Sequence, residues 1–491
     1  MAFTLTPRER RWLVVGLAFV VGLRLATLGA YPLMDPTESR YAEIARKMLA
    51  SGQWIMPQFD YGVPFWGKPP LSTWLSALSM AVFGVNEFAA RLPSLFLLLL
   101  TGYLVYWLAG LRSGRDQALW SVTIFSVTGL VFIAAGAVMT DPALALGTTC
   151  SMAGFWVAVE SRDGRHRLQA SLLFFGGLAI GLLAKGPVAV ILTGLPIGLW
   201  VMWTRRWRDT WARLPWIAGT LATALVVVPW YWMAERTSPG FLNYFLVGEH
   251  WKRFTVSGWQ GDLYGAAHAR PKGTIWLQWL VAALPWSVLI LGWVARQAWR
   301  WRNKAASMQL DAWGLYLVLW SMAPMIFFTV SGNVLATYVL PGLPALALWV
   351  GGIWRPREAD GGGFRAATGW LFALTVTMPA LFVAVISVQH RSFEDDLSHK
   401  ALVRAFEDRR ASRTARLIYL QHRPISAEFY ARGTTVRVAS ATSLEPYLRD
   451  DVPDFVAIRA QDLDSVPPSL RAQLVPAGEY GKYLLLYESR R

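Results

Sequence analysis

Charged side chains cluster at a few points of a chain that is otherwise apolar. Asp35 follows an apolar run in PLMDPTESRYAE, with Glu38 and Arg40 beside it, and Lys68 stands in the proline-stiffened turn GKPP. Asp141 sits in VMTDPALA, in a connection of only a few residues between two apolar stretches. Lys185 interrupts LLAKGPVAV, and GEHWKRFT brings together Glu249, His250, Lys252 and Arg253, ahead of His268, Arg270 and Lys272. Carboxylates beside Lys and Arg in an aromatic, amphipathic setting suit the handling of a lipid-linked phosphosugar. Cations would hold and stabilise a leaving phosphate while a carboxylate orients or deprotonates an acceptor.

Each residue also has a plain structural reading. Thr140 and Asp141 before Pro142 form a helix start, although a carboxylate at the mouth of two apolar helices is costly unless it is paired or used. Asp-Pro-Thr-Glu at 35–38 carries the same two meanings, and two acidic starts on one side of a membrane favour a shared cleft. Lys185 could reach toward headgroups or meet a lipid phosphate. Arg253 offers a planar fork of donors suited to phosphate, or to anionic lipid at the interface. His250 could bind a metal, but one His with one Glu is a thin ligand set.

The elements that must position these groups are membrane spans. Of 491 residues, 54% are hydrophobic and 16% charged, a balance that fits a polytopic membrane protein rather than soluble domains. Apolar runs lie near 12–31, 90–110, 117–137, 142–160, 169–184, 187–203, 215–233, 274–295, 313–330, 334–352 and 367–389, about eleven crossings at roughly 20 residues each. The first run is long, carries Arg24 and lacks a clear small-x-small site, so it reads as a span rather than a cleaved signal peptide.

The formal charge of +16 would suggest nucleic acid in a soluble protein. Residues 390–491 are nearly balanced, however, with 16 Lys/Arg against 14 Asp/Glu, so the surplus lies in the apolar part. It falls in alternate short connections: Arg8, Arg10 and Arg11; Arg112 and Arg115; Arg162, Arg165 and Arg167; Arg205, Arg206, Arg208 and Arg213; Arg296, Arg300, Arg302 and Lys304; Arg355, Arg357 and Arg365. This is the positive-inside pattern. It argues against a nucleic-acid role, and it puts the N-terminus in the cytoplasm and the C-terminal segment outside.

On the outer side, residues 32–89 and roughly 234–273 form two connections far too long to be turns. Within the first, Glu38 to Leu49 has helical periodicity, with Tyr41, Ile44, Ala45, Met48 and Leu49 on one face and Glu43, Arg46 and Lys47 off it. That pattern predicts a helix along the membrane surface; Leu71 to Phe83 reads as a second, partly embedded helix. From 390 onward, RLIYL, TVRVA, DFVAIRA and YLLLYES alternate with helical stretches near 397–410 and 444–449, predicting a small α/β domain. The single cysteine, Cys150, rules out a disulfide framework and a cysteine-based zinc site.

Taken in order, MDPTESRYAEIARKMLASGQWIMPQFDYGVPFWGKPPLSTWLSALSMAVFGVNEFAARLPS, MTDPAL, LLAKGPVAV, GEHWKRF and ATYVLPGLPALAL resemble the bacterial lipid A aminoarabinose transferases and the related protein O-mannosyltransferases. The likeness covers most of residues 30–350. It implies the GT-C fold, an α-helical polytopic membrane protein with about 11–13 transmembrane helices. The implied organisation is a catalytic domain over residues 1–389 and a soluble periplasmic α/β domain over 390–491. The family's catalytic acid falls on Asp35 and its second outer-loop acid on Asp141. Lys68 resembles the lysine that contacts the carrier phosphate, Arg253 and Tyr338 match further phosphate contacts, and Arg40 and Lys185 join them as donor-binding candidates.

The resemblance implies an inverting enzyme of the bacterial inner membrane. It would move a sugar from a polyprenyl-phosphate donor to a cell-envelope acceptor such as lipid A, on the periplasmic face among membrane lipids. Two alternatives remain: a protein O-mannosyltransferase-like enzyme, and a transporter or flippase for a lipid-linked substrate. One departure bears on a possible divalent metal cofactor. Where the aminoarabinose transferases typically carry an acidic residue before KPP, this chain has Gly67, so a metal site shared with His250 would lack a ligand.

Overall fold

The computed structural model describes residues 3–265, 268–303, 310–354, 366–410, 412, 414–450 and 452–489. Lys304, Arg355, Arg357 and Arg365 of the predicted basic loops lie outside them. Helix α1 (Pro7–Ala26) starts with a reciprocal cap: the Glu9 N–H donates to Thr6 Oγ1 at 3.2 Å, and the Thr6 N–H donates to Glu9 Oε2 at 3.0 Å. The first long loop then forms α2 (Thr37–Ser51), a hairpin of β1 (Gln58–Asp60) and β2 (Val63–Pro64), and α3 (Leu71–Phe83). The bundle continues through α4 (Glu87–Ser113), α5 (Arg115–Ser126), α6 (Gly129–Ala134), α7 (Asp141–Glu160), α8 (Gly164–Lys185), α9 (Val188–Thr204), α10 (Trp207–Arg213) and α11 (Trp216–Thr237). After the second long loop come α12 (Thr274–Ala282), α13 (Trp286–Arg302), α14 (Ala312–Phe328), α15 (Ala336–Ile353) and α16 (Ala366–Asp395).

Among the described residues, six helices are long and apolar enough to cross a membrane, or seven if α12 and α13 count as one span. Two expected crossings are not continuous. The run 117–137 stops at Ser126 and restarts at Gly129, and the run 274–295 bends by 113° between α12 and α13. Pro285 lies in that second break, where a residue without an N–H and with a bulky ring cannot continue the ladder.

The centre of the bundle is α7, almost wholly buried and packed antiparallel on α8. Small residues let the two backbones touch: a Cβ on Gly147 would lie 2.7 Å from the Gly181 nitrogen. The first residue of α7 is thereby brought to the last residue of α8.

The C-terminal domain is a five-stranded sheet of order β4–β3–β5–β7–β6, from β3 (Leu417–Leu420), β4 (Val436–Val438), β5 (Phe455–Arg459), β6 (Leu474–Tyr480) and β7 (Tyr483–Glu488). The pairs β3–β4 and β3–β5 are parallel; β5–β7 and β6–β7 are antiparallel. Alternation along β3 sends Leu417 and Tyr419 into one apolar cluster and Ile418 and Leu420 into the other. Helices α17 (Lys400–Arg409) and α18 (Ile425–Tyr430) pack on this sheet, and α18 also packs on α2.

That last contact corrects the reading of α2. Glu43, Arg46 and Lys47, expected on a face turned away from the packed one, are only 1%, 4% and 2% exposed. The β1–β2 hairpin and α18 cover them.

Candidate active site

At the end of the bundle remote from the N-terminus, six segments enclose a cavity of about 380 Å³. They are the start of α2, the GKPP turn, the α6–α7 link, the end of α8, the second long loop and the 3-10 opening of α15 (Ala336–Gly342). Of the residues singled out from the sequence, Arg40, Lys68, Asp141, Lys185, Arg253 and Tyr338 line it.

Asp141 is the first residue of α7, and its side chain caps nothing. Its Oδ1 accepts from Lys185 Nζ at 2.6 Å, and the ammonium also lies 4.4 Å from the centre of the Tyr338 ring. The Lys185 side chain, 11% exposed, turns into the cavity. Its partner is the cavity carboxylate.

A second ion network faces the first. Lys68 Nζ donates to Glu249 Oε2 at 2.9 Å, and Arg253 binds both Glu249 oxygens at 3.1 Å and Asp262 at 3.2 Å. Glu249 and Arg253 stand one helical turn apart, at the end of a segment, Tyr244–Lys252, wound as a π-helix, a form often found at functional sites. Asn333 then pins the end of the segment by donating to the carbonyls of Arg253 and Val256 at 2.6 and 2.7 Å. Burial alone would push the Glu249 carboxyl up, but Lys68 and Arg253 outweigh it and hold its pKa at about 2. Burial likewise opposes the charge on Lys68, yet Glu249 raises that pKa above the ordinary lysine value. Both groups are thus ionised at neutral pH, and the Arg253 Nε is buried with no hydrogen-bond partner.

Asp35 is placed differently from the expectation. It does not line the cavity, although Pro36, Thr37 and Glu38 do. Its carboxylate accepts from the Ser39 hydroxyl, from the Ser426 N–H at 2.9 Å and from the Ser426 hydroxyl, the last two belonging to the C-terminal domain. Burial raises its pKa against the pull of these donors. Glu38, one turn on, is held by Arg91 at 2.7 and 2.9 Å and accepts from the Val138 N–H in the link that carries Asp141.

Asp262 and the buried Arg91 are not among the sequence candidates, and Glu249 enters there only as a companion of His250 and Arg253. Glu249 was visible inside GEHWKRFT, while Asp262 and Arg91 carried no signal beyond their places in a long loop and an apolar run.

The sequence profile of the dolichyl-phosphate-mannose-protein mannosyltransferase family matches residues 13–245. An undecaprenyl phosphate-alpha-4-amino-4-deoxy-L-arabinose arabinosyl transferase from Erwinia tasmaniensis is 33% identical over 317 residues, 64% of this chain and 54% of its own length. A counterpart from Pseudomonas fluorescens is 33% identical over 359 residues, 71% of this chain and 59% of its own length. The fold matches the crystal structure of ArnT from Cupriavidus metallidurans bound to undecaprenyl phosphate, with a TM-score of 0.79 at 18% identity over 97% of this chain and 98% of that one. The chain has the GT-C fold. The matched region of these curated GT-C relatives is thus a little over half their length. A more distant GT-C likeness is to the archaeal oligosaccharyltransferase AglB from Archaeoglobus fulgidus, with a TM-score of 0.52 at 12% identity over 99% of this chain and 74% of that one.

In this GT-C chain an apolar groove of about 300 Å³ adjoins the cavity and shares Lys68, Lys185, Glu249, Arg253 and Tyr338 with it. Its other walls include Val188, Ile191, Leu246, Phe327 and Phe328.

The metal suggested by the resemblance does not fit. A side chain at Gly67 would meet the Phe65 ring, 2.8 Å from a Cβ built there. His250 turns Nδ1 to the Phe245 carbonyl at 2.8 Å and Nε2 to the Lys185 carbonyl at 3.1 Å. Burial, with Lys68 adding to it, lowers the His250 pKa. Among the described residues no three His, Cys, Asp or Glu side chains are grouped to hold an ion.

Proposed function

We propose that this protein is an inverting glycosyltransferase that moves one sugar from a polyprenyl-phosphate carrier to a cell-envelope acceptor such as lipid A. The observation that carries the reading is the pairing of a charged cavity with an apolar groove through five shared residues. A carrier with an anionic head and an isoprenoid chain needs such an arrangement. The Erwinia tasmaniensis and Pseudomonas fluorescens relatives, named for an undecaprenyl-phosphate donor, support the same carrier class.

In the reaction, the carrier phosphate lies against Lys68, Arg253 and Tyr338, with Arg40 further along the same wall. Lys185 holds one oxygen of Asp141 and leaves the other for the acceptor O–H. Asp141 takes that proton as the acceptor oxygen bonds to the anomeric carbon. The bond from that carbon to the carrier phosphate breaks on the opposite side, and its electron pair goes to the phosphate. Lys68 and Arg253 stabilise the charge gathered there. A single displacement inverts the anomeric centre.

The placement follows from the same reading. The Arg-rich connections share the N-terminal, cytoplasmic end, and the cavity and the domain from residue 390 face the periplasm of a bacterial inner membrane. Mass spectrometry of envelope glycolipids tests the reading. A deletion strain should lose one sugar increment, which the wild-type gene restores and Asp141→Asn does not. An unchanged glycolipid and glycoprotein profile in the deletion strain would contradict it.

A further inference from the structure

We infer that the C-terminal domain is a working part of the transfer site, holding the cavity wall of α2 in register through Asp35 and Ser426 as positioning residues. This rests on the function proposed above, because it concerns the same cavity.

Three separate anchors bracket the segment 36–41 that lines the cavity. The first is the Asp35 carboxylate on the N–H and hydroxyl of Ser426, with the Asp35 N–H donating to the Leu397 carbonyl at 2.8 Å. Ser426 is fully buried at the head of α18. The second lies just upstream: the Leu33 N–H donates to the Tyr430 hydroxyl at 2.7 Å. That hydroxyl donates in turn to Glu87 at 3.0 Å, and Glu87 also pairs with Lys400 at 2.6 Å. The third lies downstream, where Lys47 and Arg423 share Asp60 at 3.1 and 3.0 Å and Arg423 binds Glu428 at 2.9 Å.

Between these anchors α2 has little freedom to slide or rotate, and it carries Glu38, Arg40 and Tyr41 into the cavity. Glu38 passes the constraint on, since it also binds the Val138 N–H three residues before Asp141. The physical case is one of cost. Burying Glu43, Lys47 and Glu428 at 1%, 2% and 3% exposure is favourable only with near-complete pairing; Glu43 and Lys47 find most of theirs within α2 and β1, and the docked domain closes the cluster with Glu428, 3.9 Å from Lys47 and 2.9 Å from Arg423. Neither Asp35 nor Ser426 reaches the cavity, so any effect on the reaction is exerted through α2. Displacement of a reacting group by about 1 Å is enough to slow a reaction markedly.

The test uses the full-length protein in detergent, with hydrogen exchange read at residues 33–47 and transfer kinetics read beside it. In Ser426→Ala, exchange at 35–41 should speed by about tenfold or more while the sheet of the domain keeps its protection. kcat should fall by about tenfold with KM for the carrier little changed, because Lys68, Arg253 and Tyr338 are anchored elsewhere. Ser426→Thr should restore both, and Asp35→Ala combined with Ser426→Ala should be no worse than the more damaging single change. Wild-type exchange at 35–41 together with wild-type kcat in Ser426→Ala would overturn the inference. Absence of any transfer by the wild-type protein would instead bear on the proposed function, and the exchange measurement would still decide whether the anchor holds α2.

Discussion

Two ion networks of nearly the same composition are built around lysines of the first outer loop and behave differently. One joins Lys47 and Arg46 to Glu43, Asp60 and Glu428, and its lysine is 2% exposed with every donor directed at protein. The other joins Lys68 and Arg253 to Glu249 and Asp262, and its cations keep 17–18% of their side-chain surface on a cavity. Residue type does not separate a structural network from a functional one. What separates them is whether the cations, once paired, still face space that a ligand can enter.

This contrast can be broken by substitution. Asp141→Asn should lower transfer the most, by about 10²–10⁴-fold as expected for loss of a general base, with the folded yield unchanged. Lys68→Ala should lower it by about 10²–10³-fold with little change in Tm, since Glu249 keeps Arg253. Lys47→Ala should do the reverse. It leaves Glu43 to Arg46 and Glu428 to Arg423 and removes a side chain that is only 2% exposed, which should destabilise the protein by about 1–3 kcal/mol, read as a lower Tm and a poorer yield of folded protein. A Lys47→Ala protein as stable as wild type would erase the distinction drawn here.

Smaller effects sharpen it. In the wild type the Lys68 charge persists until pH rises past its elevated pKa, and Glu249, at about 2, stays ionised far into acid. Above the second ionisation of the phosphate monoester, near pH 6, carrier affinity should therefore be flat between roughly pH 7.5 and 9. In Glu249→Gln the compensating charge is gone and burial lowers the Lys68 pKa, so affinity should weaken as pH rises within that window. Equilibrium binding of a fluorescent polyprenyl phosphate across pH checks both. The smallest effect expected is that of chelation: with Gly67 in place of a carboxylate and a His250 whose two ring nitrogens both face backbone carbonyls, EDTA should leave the transfer rate within about twofold.

Much of the cavity was legible because its residues sit at element boundaries, where charge in an apolar chain is conspicuous. Asp141 opens α7, Lys185 closes α8, and Leu71–Phe83 is the helix read from the sequence. Asp35 was misplaced because its partner Ser426 is 391 residues away, and a local motif cannot report such a contact. Helical period placed Glu43, Arg46 and Lys47 on one side of α2 but was silent on what covers that side. Strand β6 went unread because Pro476 and Gly478 interrupt it and it pairs only with β7 at the sheet edge. The breaks at 127–128 and 283–285 were hidden inside uniformly apolar runs.

The most direct measurement is release of polyprenyl phosphate from a sugar-charged carrier by the purified protein in detergent, with extracted envelope lipids as acceptor. Detergent removes sidedness, so a flippase would form no product. Multiple turnovers by the wild type, with loss of product in both Asp141→Asn and Lys68→Ala of wild-type stability, is the predicted result. Undiminished turnover in those two variants would contradict the assignment of this cavity as the catalytic centre.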